Sequence, residues 1–157
     1  MCASIKPRQT KVVCCNAYRP KTKDNLYEFD FLSFTFRRRG VRDKSGQIFT
    51  GFLPAISKKA KKLIVAKIRR WNVHRWVSGT VQLLAKLVNT IVRGWINYYG
   101  KFYKAEMNFL YEAMQNRQIK WGMRKCKGLR KRKTRTREMI DEVQRQNPVL
   151  FVHWSLR

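Results

Sequence analysis

The chain has 157 residues, 44% of them hydrophobic and 13% aromatic, and its 36 Lys and Arg against nine Asp and Glu give a formal net charge of +27. That length allows one core burying roughly two-thirds of the unfolded surface, and the aromatic content excludes a disordered polybasic tail, which would be poor in aromatics. No apolar run approaches the roughly 20 residues that span a bilayer, and the first residues, Met1-Cys-Ala-Ser-Ile-Lys-Pro-Arg, lack a signal-peptide core, so an intracellular setting is expected, cytoplasmic or organellar. The four cysteines, Cys2, Cys14, Cys15 and Cys126, show no CxxC spacing, and His74 and His153 are the only histidines. No metal site and no cofactor is therefore expected, and the thiols read as those of a reducing compartment. A charge this unbalanced calls for an acidic partner, usually a phosphate backbone, with a membrane surface as the plainer rival.

In chain order, residues 10–15, 27–36 and 47–53 read as strands, rich in β-branched and aromatic side chains, with Asp43-Lys-Ser-Gly46 as a turn between the last two. Along 27–36, alternation puts Phe29, Phe31, Ser33 and Thr35 on one face and Leu32, Phe34 and Phe36 on the other, which predicts a strand covered on both sides over part of its length. The character changes at Ser57. Residues 1–56 hold 11 basic and 4 acidic side chains, residues 57–157 hold 25 and 5. Ser57 is placed to cap a helix with Ala60, Leu63, Ile64, Ile68 and Trp71 on its apolar face. A second helix starts near Thr80 with the stripe Val81, Leu84, Ala85, Val88, Ile91, Val92, Trp95, Ile96 and Tyr99, and Gly100 as its stop. A third covers residues 106–126 through Met107, Leu110, Tyr111, Met114 and Trp121, and a short fourth covers 136–146 before Pro148.

Several blocks carry a family resemblance. RGWINYYGKFY, residues 93–103, resembles the RGWxNYY signature in the maturase domain, or domain X, of group II intron-encoded reverse transcriptases. FDFLSFTFR at 29–37 is similar to the family's FDFLGFTFR strand at the end of the palm, with Ser33 where glycine is usual. IKPRQTKVV at 5–13 resembles LNPxKTKIV, and IKWGMRKCK at 119–127 and PVLFVHW at 148–154 resemble the closing blocks. The similarity follows the family's order over nearly the whole chain. It implies a mainly α fold: a thumb-like bundle of three long helices plus a short one, with a small N-terminal β region. Residues 1–56 would be a remnant of the palm and 57–157 the maturase domain.

The family's polymerases carry catalytic aspartates in a YxDD turn, and this sequence has none. Its acids are Asp24, Glu28, Asp30, Asp43, Glu106, Glu112, Glu138, Asp141 and Glu142, and only the last two are adjacent. They fall in a polar helical pattern, whereas two-metal phosphoryl transfer needs convergent carboxylates. No catalytic residue is assigned and no enzyme activity is expected. Because nothing follows Arg157, the DNA-binding and endonuclease extensions of part of the family are expected to be absent too.

Candidate RNA contacts follow from helix phase and charge. Trp95 and Tyr99 share the core stripe, so Arg93, Asn97, Tyr98 and Lys101 are the better contacts within RGWINYYGK, since an Arg plane or Tyr ring stacks on a splayed base. Residues 124–137 bring Arg124, Lys125, Lys127, Arg130, Lys131, Arg132, Lys133, Arg135 and Arg137 with no acid among them. A charge run is ordinarily a solvated face, but one without counter-charge favours phosphate. Lys58, Lys59, Lys61, Lys62, Lys67, Arg69 and Arg70 line the first helix, which the resemblance equates with the thumb helix that follows a duplex. Arg117 and Lys120 join them from the third. Arg37-Arg38-Arg39 reads equally as a contact or as an edge guard against strand pairing. His74 has no sequence partner that would make it a general base, and His153 and Trp154 read as a hydrophobic clasp for the C-terminus.

The leading expectation is a maturase domain whose partner is group II intron RNA, with no small-molecule substrate. The alternatives are a piece of a split reverse transcriptase that works with a separate palm chain, and a free-standing basic nucleic-acid-binding protein.

Overall fold

Leu32 and Ser33 stand at φ 47° and 70°, and these two residues break the aromatic run 27–36 that alternation had made one strand. In the computed structural model, which describes residues 27–156, they form a two-residue hairpin loop between β1 (Glu28–Phe31) and β2 (Phe34–Arg42). Phe31 opposes Phe34, and Glu28 opposes Arg37. Positive φ at both loop positions is what a primed hairpin turn requires, and glycine would take it at least cost. Among the described residues the expected cover on both faces is absent from β1, whose four residues are all exposed. Phe29 instead stacks across the hairpin on Phe36, centroids 4.9 Å apart and planes within 3°. The expected strand over 10–15 and the block at 5–13 lie outside the described residues.

β3 (Ile48–Ile56) completes an antiparallel sheet in the order β1-β2-β3. The turn into it is the one read from Asp43 to Gly46: the Asp43 carboxylate accepts from the Ser45 amide at 2.6 Å and hydroxyl at 2.5 Å, and Gly46 has φ 89°. Ser57 then serves two elements. Its amide donates to the Ser33 carbonyl at 2.9 Å, and its hydroxyl accepts from the Ala60 amide at 3.2 Å, capping α1 (Lys58–Arg70).

The rest is helical: α2 (Val81–Tyr99), α3 (Asn108–Lys125) and α4 (Lys133–Gln146), joined by short 3-10 turns. The fold is mainly α, as expected. Thr80 caps α2 through the Leu83 amide at 3.2 Å. Ala60, Ile64 and Ile68 of α1 are buried, but Leu63, expected in that stripe, is 64% exposed, so the buried face of α1 is narrower than its apolar spacing suggests. α4 begins three residues before the expected Thr136. A Cβ on Gly122 would meet Thr136 Cγ2 at 2.8 Å, so glycine there lets α3 and α4 approach closely. The C-terminal segment closes the core as the expected clasp, with Phe151, His153, Trp154 and Leu156 buried. Asn89 of α2 pins it, donating to the Leu150 carbonyl at 2.9 Å and accepting from the Val152 amide at 3.1 Å.

Sheet and helices meet at Glu106. Its carboxylate takes Arg39 at 2.8 Å and Arg37 at 3.3 Å from β2, and Lys61 from α1. Burial pushes the Glu106 pKa up, but the hydrogen bond and charge of Lys61, followed by the charge and hydrogen bond of Arg39, outweigh it and leave the net shift downward. Arg37 and Arg39 are thus neither free contacts nor edge guards, and the guanidinium of Arg38 lies 5.2 Å from the Tyr27 ring.

Glu106→Gln takes the carboxylate from Arg39, which is 8% exposed and keeps the Leu53 and Thr35 carbonyls as acceptors, and should cost about 2–4 kcal/mol in urea unfolding, near the range for broken buried pairs. Glu142→Gln, which removes an exposed pair with Arg145, should cost under about 0.5 kcal/mol. Equal costs would show that the junction does not depend on Glu106.

A second expectation is acid sensitivity. Burial pushes His153 down to about 3, whereas the unfolded residue titrates near 6.5. The unfolded chain therefore takes up the proton first. Stability from this residue is complete above about pH 6.5 and falls towards pH 3, by up to about 1.4 kcal/mol per unit. His74, also lowered, adds to the same limb. Melting from pH 7.5 to 4.5 should show a shallower acid limb for His153→Leu than for wild type. Identical limbs would mean that His153 is not the buried neutral group.

Candidate nucleic-acid interface

The cations of α1 divide by helix phase. Lys58, Lys59, Lys62, Lys67, Arg69 and Arg70 are exposed, while Lys61 turns inward to Glu106 and sits 5.4 Å from the Phe109 ring. Lys67 reaches back over Trp95, 5.9 Å from its centroid, and Trp95 stacks on Trp71 at 5.6 Å with planes 6° apart. This aromatic pair is half-buried, so Trp95 ties α1 to α2 at the margin of the core rather than deep within it.

On α2, Arg93 and Asn97 are exposed one turn apart, and Lys101 follows just past the helix end. Tyr98 is 53% exposed. Its ring lies 5.3 Å from Phe34 and 4.8 Å from Tyr99, and its hydroxyl donates to the Leu32 carbonyl at 3.5 Å. Tyr98 is thereby held against the hairpin loop, with half of its surface left to solvent.

α3 carries the densest cluster. Arg117, Lys120 and Arg124 recur at i, i+3 and i+7, so they share one face. They gather beside His74 and Arg75 of the 3-10 turn Val73–Arg75. His74 records this: its pKa is lowered by burial, then by the charges of Arg124, Arg117, Lys120 and Arg75. Its Nδ1 is buried without a hydrogen-bond partner. Arg75 is an addition that sequence reading missed, since only the fold brings it to α3. Lys125 turns the other way, donating to the carbonyls of Val77 at 3.2 Å and Gly79 at 2.5 Å, with its ammonium 5.2 Å from the Trp121 ring. Like Lys61, it was expected on the RNA face, and the structure gives it an internal role.

From Lys127 the basic run passes through a 3-10 turn and a tight turn, closed by the Arg132 amide on the Leu129 carbonyl at 3.0 Å, into α4, with Lys127, Arg130, Lys131, Arg132, Lys133, Arg135 and Arg137 all exposed. Lys131 has φ 63°. The first turn of α4 holds no acid, and no side chain caps it at Arg132. A helix N-terminus is already the positive end of the macrodipole. Cations there are an internal conflict that a bound anion would relieve.

The described residues thus present outward cations on α1, α2, α3 and α4 over an aromatic scaffold, and no helix is long and apolar enough to cross a membrane. Compared with known proteins, residues 61–139 match the family model described as group II intron, maturase-specific domain. That span takes in all the candidate contacts except Lys58 and Lys59. No curated protein and no solved structure matches the chain.

Trp95→Ala should cost about 2–3 kcal/mol, below the 3–5 of a fully buried aromatic because its ring is only partly buried. Arg93→Ala and Lys101→Ala should each move stability by less than about 0.5 kcal/mol. Thermal melting of the three variants decides it: a stable Trp95→Ala beside an unfolded Arg93→Ala would mean that α2 is turned the other way.

Proposed function

The chain belongs to the group II intron maturase-specific family, and from that premise we propose that it binds structured intron RNA and biases it towards the splicing-competent fold. The observation that carries this reading is the cluster of Arg75, Arg117, Lys120 and Arg124 around His74, whose charges add to burial in lowering the pKa of that histidine. Several cations held at fixed separation on a packed helix make a preformed seat for closely spaced phosphates, as where RNA helices approach. The bias is a difference of affinities. A protein that binds the folded RNA about 10⁴-fold more tightly than the misfolded RNA moves it from 1:99 to 99:1. In this reading the protein supplies binding energy and positioning, and the RNA carries the transesterification.

The sheet favours one addition. Phe31, Leu32, Ile48 and Phe49 are 52–72% exposed, more apolar surface than a three-stranded sheet gains by leaving in water. A separate palm-bearing chain would cover it, and co-purification is the check on that partner.

The dissociation constant for structured RNA, measured between roughly 50 and 300 mM salt, should weaken with a log-log slope of about −0.7 to −0.9 per phosphate contacted. Replacing Arg117, Lys120 and Arg124 together by Ala should make that slope shallower by about 2–3. A flat salt profile for the wild type would overturn the reading. Phosphate seated on this cluster would also cancel the charges that hold the His74 pKa down, so RNA binding should take up a proton there. Affinity should then rise as pH falls, and His74→Gln should remove that rise.

A further inference from the structure

A groove of about 280 Å³ runs between α1 and α3, and its chemistry differs from that of the cationic surfaces on either side of it. Its floor is apolar, made by Val65 of α1 and by Phe109 and Ala113 of α3, all half-buried. Arg69 of α1 and Arg117 of α3 line it too, and Arg117 belongs at the same time to the cluster beside His74. A phosphate gains nothing from an apolar floor. The part of a polynucleotide that does is the flat face of a base, and only an unpaired base is free to leave its stack and present it. The volume is close to that of the smallest ligand sites, roughly 300 Å³, which is room for one base and not for a duplex.

The rim adds a polar choice. Glu112 and Asn116, one turn apart, share a face of α3 with Phe109 and Ala113, and both are exposed where they line the groove. Among the described residues Glu112 makes no ion pair and no hydrogen bond, although residues 57–157 hold 25 basic side chains against five acids. An ionised carboxylate only accepts, so it favours a base that turns an exocyclic amine towards it and repels a carbonyl oxygen. Adenine, cytosine and guanine each carry such an amine. Uracil has none, and its one imide N–H lies between two carbonyls. The Asn116 amide both donates and accepts, so it can complete the polar edge of any of the three amino bases.

We propose that this groove holds one unpaired base of the bound RNA, an adenine, cytosine or guanine, with its face on Val65, Phe109 and Ala113, its amine on Glu112, and its flanking phosphates on Arg69 and Arg117. The assignment rests on the RNA-binding reading above and adds what the phosphate clusters lack, a preference for an unpaired nucleotide and against uridine.

The test uses the full chain and a hairpin RNA with a one-nucleotide bulge, in which the bulged position is A, C, G, U or an abasic ribose that keeps the phosphates and loses the base. Fluorescence anisotropy should give about tenfold tighter binding for the A, C and G bulges than for the abasic one, as one stacked base contributes. The U bulge should bind about threefold more weakly than the other three, the effect of one hydrogen bond on an exposed rim. The salt slope should be the same for all five, because their phosphates are the same. Glu112→Gln should leave the melting temperature unchanged and bring U level with A, C and G, because an amide can donate to a carbonyl. Ala113→Leu fills the floor and should reduce all four bases to the abasic level; should it also lower stability, Glu112→Gln decides alone. Equal wild-type affinities for abasic and base-bearing bulges with salt-dependent binding intact, or a discrimination against U that survives Glu112→Gln, would overturn the base site and leave the RNA-binding reading standing. No binding to any of the RNAs would overturn both.

Discussion

A chain of net charge +27 folds only if its like charges are kept apart or matched, and the one place where strands and helices must approach with cations between them is held by Glu106. Three cations from two elements converge there. Arg39 is the critical one, because a buried guanidinium without a partner costs several kcal/mol. Glu106 also lies in the 3-10 turn Lys104–Met107 that leads directly into α3, where a negative charge interacts favourably with the helix N-terminus. One carboxylate thus sets the docking of the sheet, the position of α1 and the start of the central helix. Its neighbours Arg39 and Lys61 are thereby drawn away from solvent, while Arg37 stays partly exposed beside them.

The division between inward and outward cations organises the molecule. Inward ones find an acid, as Lys61 does, or carbonyl oxygens, as Lys125 does. Outward ones collect where helix packing brings their faces together. His74 lies within that collection, driven towards neutrality first by its own burial and then by four neighbouring cations. The aromatic residues of RGWINYY serve both sides. Trp95 and Tyr99 face the scaffold through Trp71 and Phe34, and Tyr98 keeps half of its surface in solvent while anchored to the hairpin loop.

The helices were legible in the sequence because their signals are local. Ser57 and Thr80 cap where they were expected, and the i, i+3, i+4 spacing of Leu84, Ala85, Val88 and Val92 marks the buried face of α2. The hairpin was not legible, because a primed turn normally announces itself with Asn-Gly or Asp-Gly, and Leu32-Ser33 offers neither. The only hint was indirect: Ser33 stands where the resembled family usually has glycine, the residue that takes φ 70° most cheaply. Leu63 misled for the opposite reason, since it fits the helical period yet none of the described residues covers that side of α1. Which lysines face inward could not be read at all. Lys61 and Glu106 lie 45 residues apart, and nothing local distinguishes Lys61 from Lys58, Lys59 or Lys62. Arg75 was missed likewise, because its place beside α3 is a tertiary fact.

Phosphate contacts, however many, carry no sequence information and little shape information unless they are held rigidly. The rigidity here comes from a few close approaches. Gly122 lets α3 and α4 pack with the Thr136 methyl where a Cβ would otherwise lie, and the Thr136 hydroxyl donates to the Arg132 carbonyl at 2.8 Å, which fixes the entry into α4. Asn89 and the buried C-terminal segment lock α2 to the other end of the core. The cations of α3 and those of α4 are therefore presented at a set separation instead of on independent flexible arms. Under the proposed function, an RNA whose phosphates match that separation would be bound with little further ordering of the protein, and one whose phosphates do not match would engage one cluster or the other. That difference, multiplied over several charge-assisted contacts, would let a surface of phosphate contacts distinguish one fold of an RNA from another.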